Sequence, residues 1–305
     1  MEVKMNNNKL PQVRLRNGFS DRNRIKEENK TLQYTDFDER TRISFCNTLI
    51  DVFNDICEAV ERQDTRLRFN ERDFKRTFCT IIVKSVYVEQ IDNIDRYSVT
   101  DIFKNYFYRT IREDSYNAVL DLIEFFAEID LYLTKSNYRN IYKKKFNNAF
   151  EYDFVGYRFV TDKIVAITDE HEIKAIEEAI IENPYGKCKE HFSKALALLA
   201  DRNNKDYSNS IKESICAVEN ICQIIVGKST SLGDALDQLE KNGIIINKVL
   251  KIAFDKMYGY TSDSGGIRHA NAFNTEVPEF EDAKYMLVVC SAFVNYLIAK
   301  IAKIT

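Results

Sequence analysis

Residues 206–227 read DYSNSIKESICAVENICQIIVG. Ile211, Ile215, Val218, Cys222 and Ile225 recur every three or four positions, which places them on one face of an α-helix. Gly227 stands where a helix closes on a left-handed residue. The spacing predicts a helix over about 206–226 with a single buried stripe. A helix with one apolar face needs others to cover it, so the neighbouring sequence is read for partners.

The same grammar continues on both sides. Asp169 is placed to cap a helix over about 170–182, and Asn183-Pro184 ends it. Helices are predicted over about 185–202, 231–241, 245–257 and 279–303. In the first half a long helix is predicted from Asp36, with Ile43, Cys46, Leu49, Ile50, Phe53, Ile56, Cys57 and Val60 as its buried stripe. Further helices are predicted near 71–91, 99–112, 115–133 and 137–151, with Asn70, Ser98, Asp114 and Ser136 as N-caps. The period changes only once. Val155–Val160 and Ile164–Thr168, separated by a polar Thr161-Asp162-Lys163, read as a short β-hairpin.

Composition agrees with this reading. Nine Gly and three Pro in 305 residues leave few breakers, which disfavours a loop-rich sandwich or barrel. Hydrophobic residues are 45% of the chain and supply a core, while 20 Phe and 17 Tyr compensate for the absence of Trp. The expected fold is all-α: two helical domains joined by a short β-hairpin. The expected divisions are a helical N-terminal domain with a basic arm over 1–152, the hairpin and a linker helix over 153–183, and a second helical domain over 184–305. Arginine supports two regions of different character. Fifteen of the 18 Arg lie in 1–150, whereas His171, His191 and His269 all lie beyond it.

The chain shows no apolar leader, and its longest apolar run, Tyr285–Ala299, carries Ser291 and Asn295. That run reads as a buried helix, with no membrane partner expected. Seven cysteines without a CxxC pair read as small core hydrophobes in a reducing, cytoplasmic setting. No Walker pattern, HExxH or GxSxG is present, and neither a metal nor a cofactor is expected.

Two segments carry candidate chemistry. Gly259–Asn271 joins two predicted helices and concentrates Tyr, Ser, Asp, Gly, Arg268 and His269. A guanidinium beside an imidazole suits a phosphodiester, one neutralising phosphate and the other moving a proton near neutral pH. The competing reading is a glycine-rich connector whose Arg and His bond to helix ends. Residues 134–149 hold five Lys/Arg and no acid, with Tyr138, Ile141, Tyr142, Phe146 and Ala149 as the apolar stripe. Arg139, Lys143, Lys144 and Lys145 are the candidate phosphate contacts, against the alternative of an ordinary solvated face. The basic arm over 1–35 reads the same way. His171 and His191 have no metal-ligand spacing around them and read as rim or core histidines.

Three stretches resemble the HEPN superfamily of small helical domains: Asp206–Asn220, Ser231–Leu236 and Tyr260–Ala270. The last, YTSDSGGIRHA, resembles the loop-to-helix site of HEPN domains in AbiJ-type abortive-infection proteins. Gly18–Asn23, the helix opening Asp38-Glu39-Arg40-Thr41-Arg42 and the hairpin resemble one class of AbiJ N-terminal domain and its junction. The resemblance implies a C-terminal HEPN-like helical bundle, a homodimer through that domain, RNA as substrate and a partner defence protein. It implies a HEPN-type endoribonuclease in which the RNA's own 2′-hydroxyl attacks phosphorus without metal. Arg268 and His269 would be its catalytic residues, with Glu219, Asp263 and Asn271 in support. HEPN ribonucleases separate Arg and His by four to six residues, whereas Arg268 and His269 are adjacent. Neighbours on a helix diverge by about 100°, so the pair would converge only at a distorted helix start or across a dimer. The alternative is a non-catalytic RNA- or partner-binding module, a sensor or a dimerisation protein.

Overall fold

The computed structural model describes residues 19–23, 31–63, 71–88, 97–128, 138–201, 204–227, 232–241, 243–262 and 277–303. The chain is all-α apart from one two-stranded hairpin among these residues. It forms two compact units, Met1–Gly156 and Tyr157–Thr305.

The first unit contains α1 (Phe19–Arg22), α2 (Glu39–Gln63), α3 (Glu71–Ile82), α4 (Val99–Ile102), α5 (Tyr108–Glu113), α6 (Tyr116–Glu128) and α7 (Tyr138–Tyr152). α3 runs into a π-helical turn at Val83–Tyr87, and a second π turn, Phe103–Phe107, joins α4 to α5. The core is largely aromatic. Phe53 meets Phe103 at 4.9 Å, Phe107 meets Phe126 at 5.2 Å and Phe45 meets Phe150 at 5.3 Å between ring centroids. Buried Tyr142 keeps its hydroxyl satisfied by donating to the Ile123 carbonyl at 2.9 Å.

Two predicted stripes are rotated at one edge. Ile43 is exposed on α2, and Phe45 and Val52 are buried instead. Ile141 is exposed on α7 while Phe150 is buried. In both cases the partner helices cover a sector about one residue away from the one that apolarity alone marks. The caps divide similarly. Ser98 makes a capping box with Asp101. Asp114 closes α5 rather than opening α6, which begins at Tyr116. Asn70 and Ser136 lie outside the described residues.

A polar latch holds residues 33–42 to the end of α7. The Gln33 amide donates to the Thr41 hydroxyl at 2.9 Å and to the Asp153 carbonyl at 2.7 Å. The Asp38 backbone N–H donates to the Gln33 side-chain oxygen at 2.7 Å. The Arg40 guanidinium lies 3.2 Å from the Asp153 carboxylate, an ion pair rather than an aligned hydrogen bond. The Tyr34 ring covers Gly156 so closely that a Cβ there would fall 2.2 Å from it. Only a residue without a side chain permits that approach.

The second unit begins with the antiparallel pair β1 (Arg158–Val160) and β2 (Lys163–Val165), in the register Arg158 to Val165. These strands are shorter than predicted, and Lys163 belongs to β2 rather than to the turn. α8 (Glu170–Glu177) follows, capped by Asp169, whose carboxylate accepts from the His171 and Glu172 N–H groups. A π turn, Glu178–Glu182, ends at Asn183. Then come α9 (Gly186–Ala200), α10 (Tyr207–Val226), α11 (Leu232–Lys241), α12 (Lys248–Ser262) and α13 (Phe280–Ile301).

α10 is the central helix. It buries Ile211, Ile215, Val218 and Cys222, and packs against α9, α11 and α13. Gly227 closes it at φ 78°. Val160, Val165, Ile167, Ile176 and Ala179, from the hairpin and the helical segment after it, belong to this same core. Among the described residues α13 is the one helix long and apolar enough to cross a membrane. Its Leu287, Cys290, Val294 and Leu297 are buried in the second core, and Asn295 donates to the Ala175 carbonyl at 2.9 Å.

Candidate functional site

Arg268, His269, Asp263 and Asn271 all fall within 263–276, outside the described residues. The elements on either side of that segment are defined. α12 crosses α13 where Phe254 stacks on Phe293, with 3.5 Å between centroids. α13 starts beside the start of α10, where Tyr207 and Phe280 meet edge-on at 6.1 Å. The segment therefore connects the end of α12 to the end of the bundle that holds Tyr207.

Glu219 is half-buried on α10, twelve positions from Tyr207, or about 18 Å along the axis at 1.5 Å per residue. Glu213 is nearer that end, and it has a partner. His191 Nδ1 of α9 lies 2.6 Å from Glu213 Oε2, with both side chains about one-quarter exposed, at 28% and 22%. Sequence spacing within one helix could not reveal this pair, because the two residues come from successive antiparallel helices. The register is set one turn away, where the Ser210 hydroxyl donates to the Ala195 carbonyl at 2.8 Å. His171 is exposed in the first turn of α8.

The basic residues of α7 do not share one free face. Lys145 pairs with Asp55 of α2. The Arg139 guanidinium donates to the Glu128 carbonyl at the end of α6, at 3.2 Å. Lys144 is exposed and Lys143 half-buried. Two of the four candidate phosphate contacts are thus engaged in holding α7 to its neighbours.

A second basic site lies on the α4–α5 segment, which sequence reading did not single out. A groove of about 1060 Å³ is lined by Tyr97, Lys104, Asn105, Tyr106, Tyr108, Arg109, Arg112 and Glu113. The π turn accounts for it. The Tyr108 N–H bonds to the Phe103 carbonyl five residues back. The widened turn sends Phe103 and Phe107 into the core and leaves Lys104, Asn105 and Arg109 on the surface. The Tyr87 hydroxyl donates to the Thr110 hydroxyl at 2.9 Å, and its ring meets Tyr106 at 5.1 Å. Tyr97 meets Tyr106 edge-on at 6.4 Å. Burial pushes the Tyr87 phenol up to about 12, and burial also raises that of Tyr108, so both stay neutral at physiological pH. Three cations face one carboxylate, Glu113, which sits 3.4 Å from Arg109 in an exposed pair. The signal was present in the sequence as three Tyr and three Lys/Arg within Tyr97–Glu113, but no named motif has that pattern.

The family model for AbiJ N-terminal domain 4 covers residues 17–182, more than half of the 305-residue chain. No curated protein and no solved structure matches. The matched span includes the Arg40–Asp153 latch, the groove and the hairpin with α8. The chain therefore belongs to the AbiJ N-terminal domain 4 family, whose name points to abortive-infection defence.

Proposed function

We propose that this chain is a phage-defence protein whose second helical unit is a HEPN-like ribonuclease acting on cytoplasmic RNA as a homodimer. The observation that supports the reading is an AbiJ-family segment followed by a second helical unit that extends well beyond it. The stretches that resemble HEPN domains begin, in order, on the central helix, on or just before the short α11 and at the end of α12. The chemistry needs no metal. His269 takes the proton from a ribose 2′-hydroxyl, and the 2′-oxygen bonds to the adjacent phosphorus. The 5′-oxygen leaves with a proton from a second acid, the partner subunit's His269 in a twofold dimer. The products are a 2′,3′-cyclic phosphate and a 5′-hydroxyl. Arg268 neutralises the charge that builds on the phosphate oxygens. Asp263 and Asn271, and more distantly Glu219, orient the pair. Arg139, Lys143, Lys144 and Lys145 add salt-sensitive attraction to the RNA backbone, with exposed Lys144 the largest contributor.

The competing reading is a non-catalytic RNA- or partner-binding module, and the adjacency of Arg268 and His269 favours it. Phage plating on cells that produce the chain separates the two. The ribonuclease reading expects protection by the wild type and its loss with His269→Ala at equal protein level. Full protection by His269→Ala would favour the non-catalytic module.

A further inference from the structure

We propose that the groove over the Phe103–Phe107 turn binds a nucleotide unit, either free or within single-stranded RNA. This goes beyond the ribonuclease reading and does not depend on it, since every residue involved lies in the first unit. Three features of the groove select this ligand. Its wall is a run of tyrosine rings, Tyr97, Tyr106 and Tyr108, and a base of any identity presents a π-face to such rings. Its cations are Lys104, Arg109 and Arg112. Lys104 and Arg112 make no ion pair or hydrogen bond among the described residues, and both are exposed. Among the described residues Arg109 is held only by an exposed pair with Glu113, of a kind that contributes little and yields readily to a phosphate. Its volume of about 1060 Å³ is just above the roughly 300–1,000 Å³ that small-molecule sites occupy, which leaves room for a base, its ribose and phosphate.

The floor is rigid. Phe103 and Phe107 are buried with centroids 4.9 Å apart, and Tyr87 is tied to Thr110, so the rings and cations stand on a packed base. Asn105, also on the lining, can donate to and accept from a base edge. The other charged groups around the site are Glu113 on its rim, Asp101 one turn before Lys104, Asp51 near Tyr108 and Asp114 near Tyr87. Asp101 is already engaged by the Ser98 cap. The balance on the lining is three cations against one anion.

The test is fluorescence anisotropy with the full chain and two probes: a labelled oligouridylate dodecamer with every 2′-oxygen methylated, and a fluorescent ATP analogue. The methylated strand cannot undergo 2′-hydroxyl attack, so binding is read apart from cleavage. The double variant Lys104→Gln/Arg112→Gln should weaken the oligonucleotide about tenfold or more. It should also flatten the salt slope by about 1.4, at roughly 0.7 per lost phosphate contact on a single strand. Tyr97→Ala should weaken it about 5- to 150-fold with little change of salt slope, the range expected for one stacked base. All positions are surface ones, and an unchanged melting temperature confirms intact folding. Binding of the ATP analogue alone, lost in the same variants, would identify a free nucleotide as the ligand. No binding of either probe, variants that bind equally well, or equal competition by an oligoglutamate peptide would overturn the proposal.

Discussion

Arg40 and Asp153 show what the AbiJ-like helix opening does at the level of single residues. The Asp153 side chain is fully buried, and the Arg40 side chain is 14% exposed. Arg40 also lies over the Tyr152 ring, 4.9 Å from its centroid. Next to it, the Arg42 guanidinium donates to the Phe37 carbonyl at 2.9 Å and to the Ile111 and Asp114 carbonyls at 2.8 Å. The DERTR stretch therefore fastens a loop and the α5–α6 corner to α2, and its arginines are structural. Removing one partner of such a pair leaves a buried charge. Asp153→Ala should destabilise the protein by about 3–5 kcal/mol, measured as a drop in the denaturant midpoint. A change below about 1 kcal/mol would mean that water replaces the carboxylate at no cost. That these residues mattered was legible in the sequence. What they hold was not, because the partners Gln33 and Asp153 are 120 positions apart.

Elements were readable where a local signal decides them. Ser98, Asp169 and Gly227 sit at the helix ends that their chemistry demands. The π turns were not readable, because a one-residue widening leaves no mark on a three-to-four pattern until the buried faces on either side are known. The groove depends on one of these turns, so it was hidden for the same reason. The α4 cap can be tested directly. Ser98→Ala should lower stability by about 1 kcal/mol at neutral pH. The Asp101 carboxyl is held below its ordinary value, chiefly by the Ser98 hydroxyl. A lowered folded-state pKa contributes stability above the unfolded value and loses it as pH falls through the folded one. The gap between wild type and Ser98→Ala should therefore narrow as pH falls below about 4. Urea titrations at pH 7 and pH 3 measure both; an unchanged gap would mean that Asp101 adds nothing to the cap.

At the scale of the molecule, the family segment and the compact units do not share a boundary. The AbiJ match runs to 182, while the second unit starts at Tyr157. The hairpin and α8 thus carry N-terminal family sequence and contribute to the C-terminal core. A break after 183 would remove Val160, Val165, Ile167 and Ile176 from that core. At about 1.5–3 kcal/mol each, their gross burial of roughly 6–12 kcal/mol rivals the about 5–15 kcal/mol by which a domain is stable. A fragment of 157–305 should unfold cooperatively, whereas 184–305 should lack a sharp transition by circular dichroism. Cooperative unfolding of the shorter fragment at equal stability would show the hairpin to be dispensable. The all-α class and the order of helices were legible from periodicity. The assignment of the hairpin to the second core was not, since it rests on contacts with α9. The central claim, RNA cleavage by the α12–α13 segment, is tested most directly by the ends it leaves. Single-stranded RNA incubated with the full chain in EDTA should yield 2′,3′-cyclic phosphate termini, and His269→Ala should slow this by about 10²–10⁴ at an unchanged melting temperature. Cleavage that needs a divalent metal, leaves a 3′-hydroxyl or proceeds at full rate in His269→Ala would contradict it.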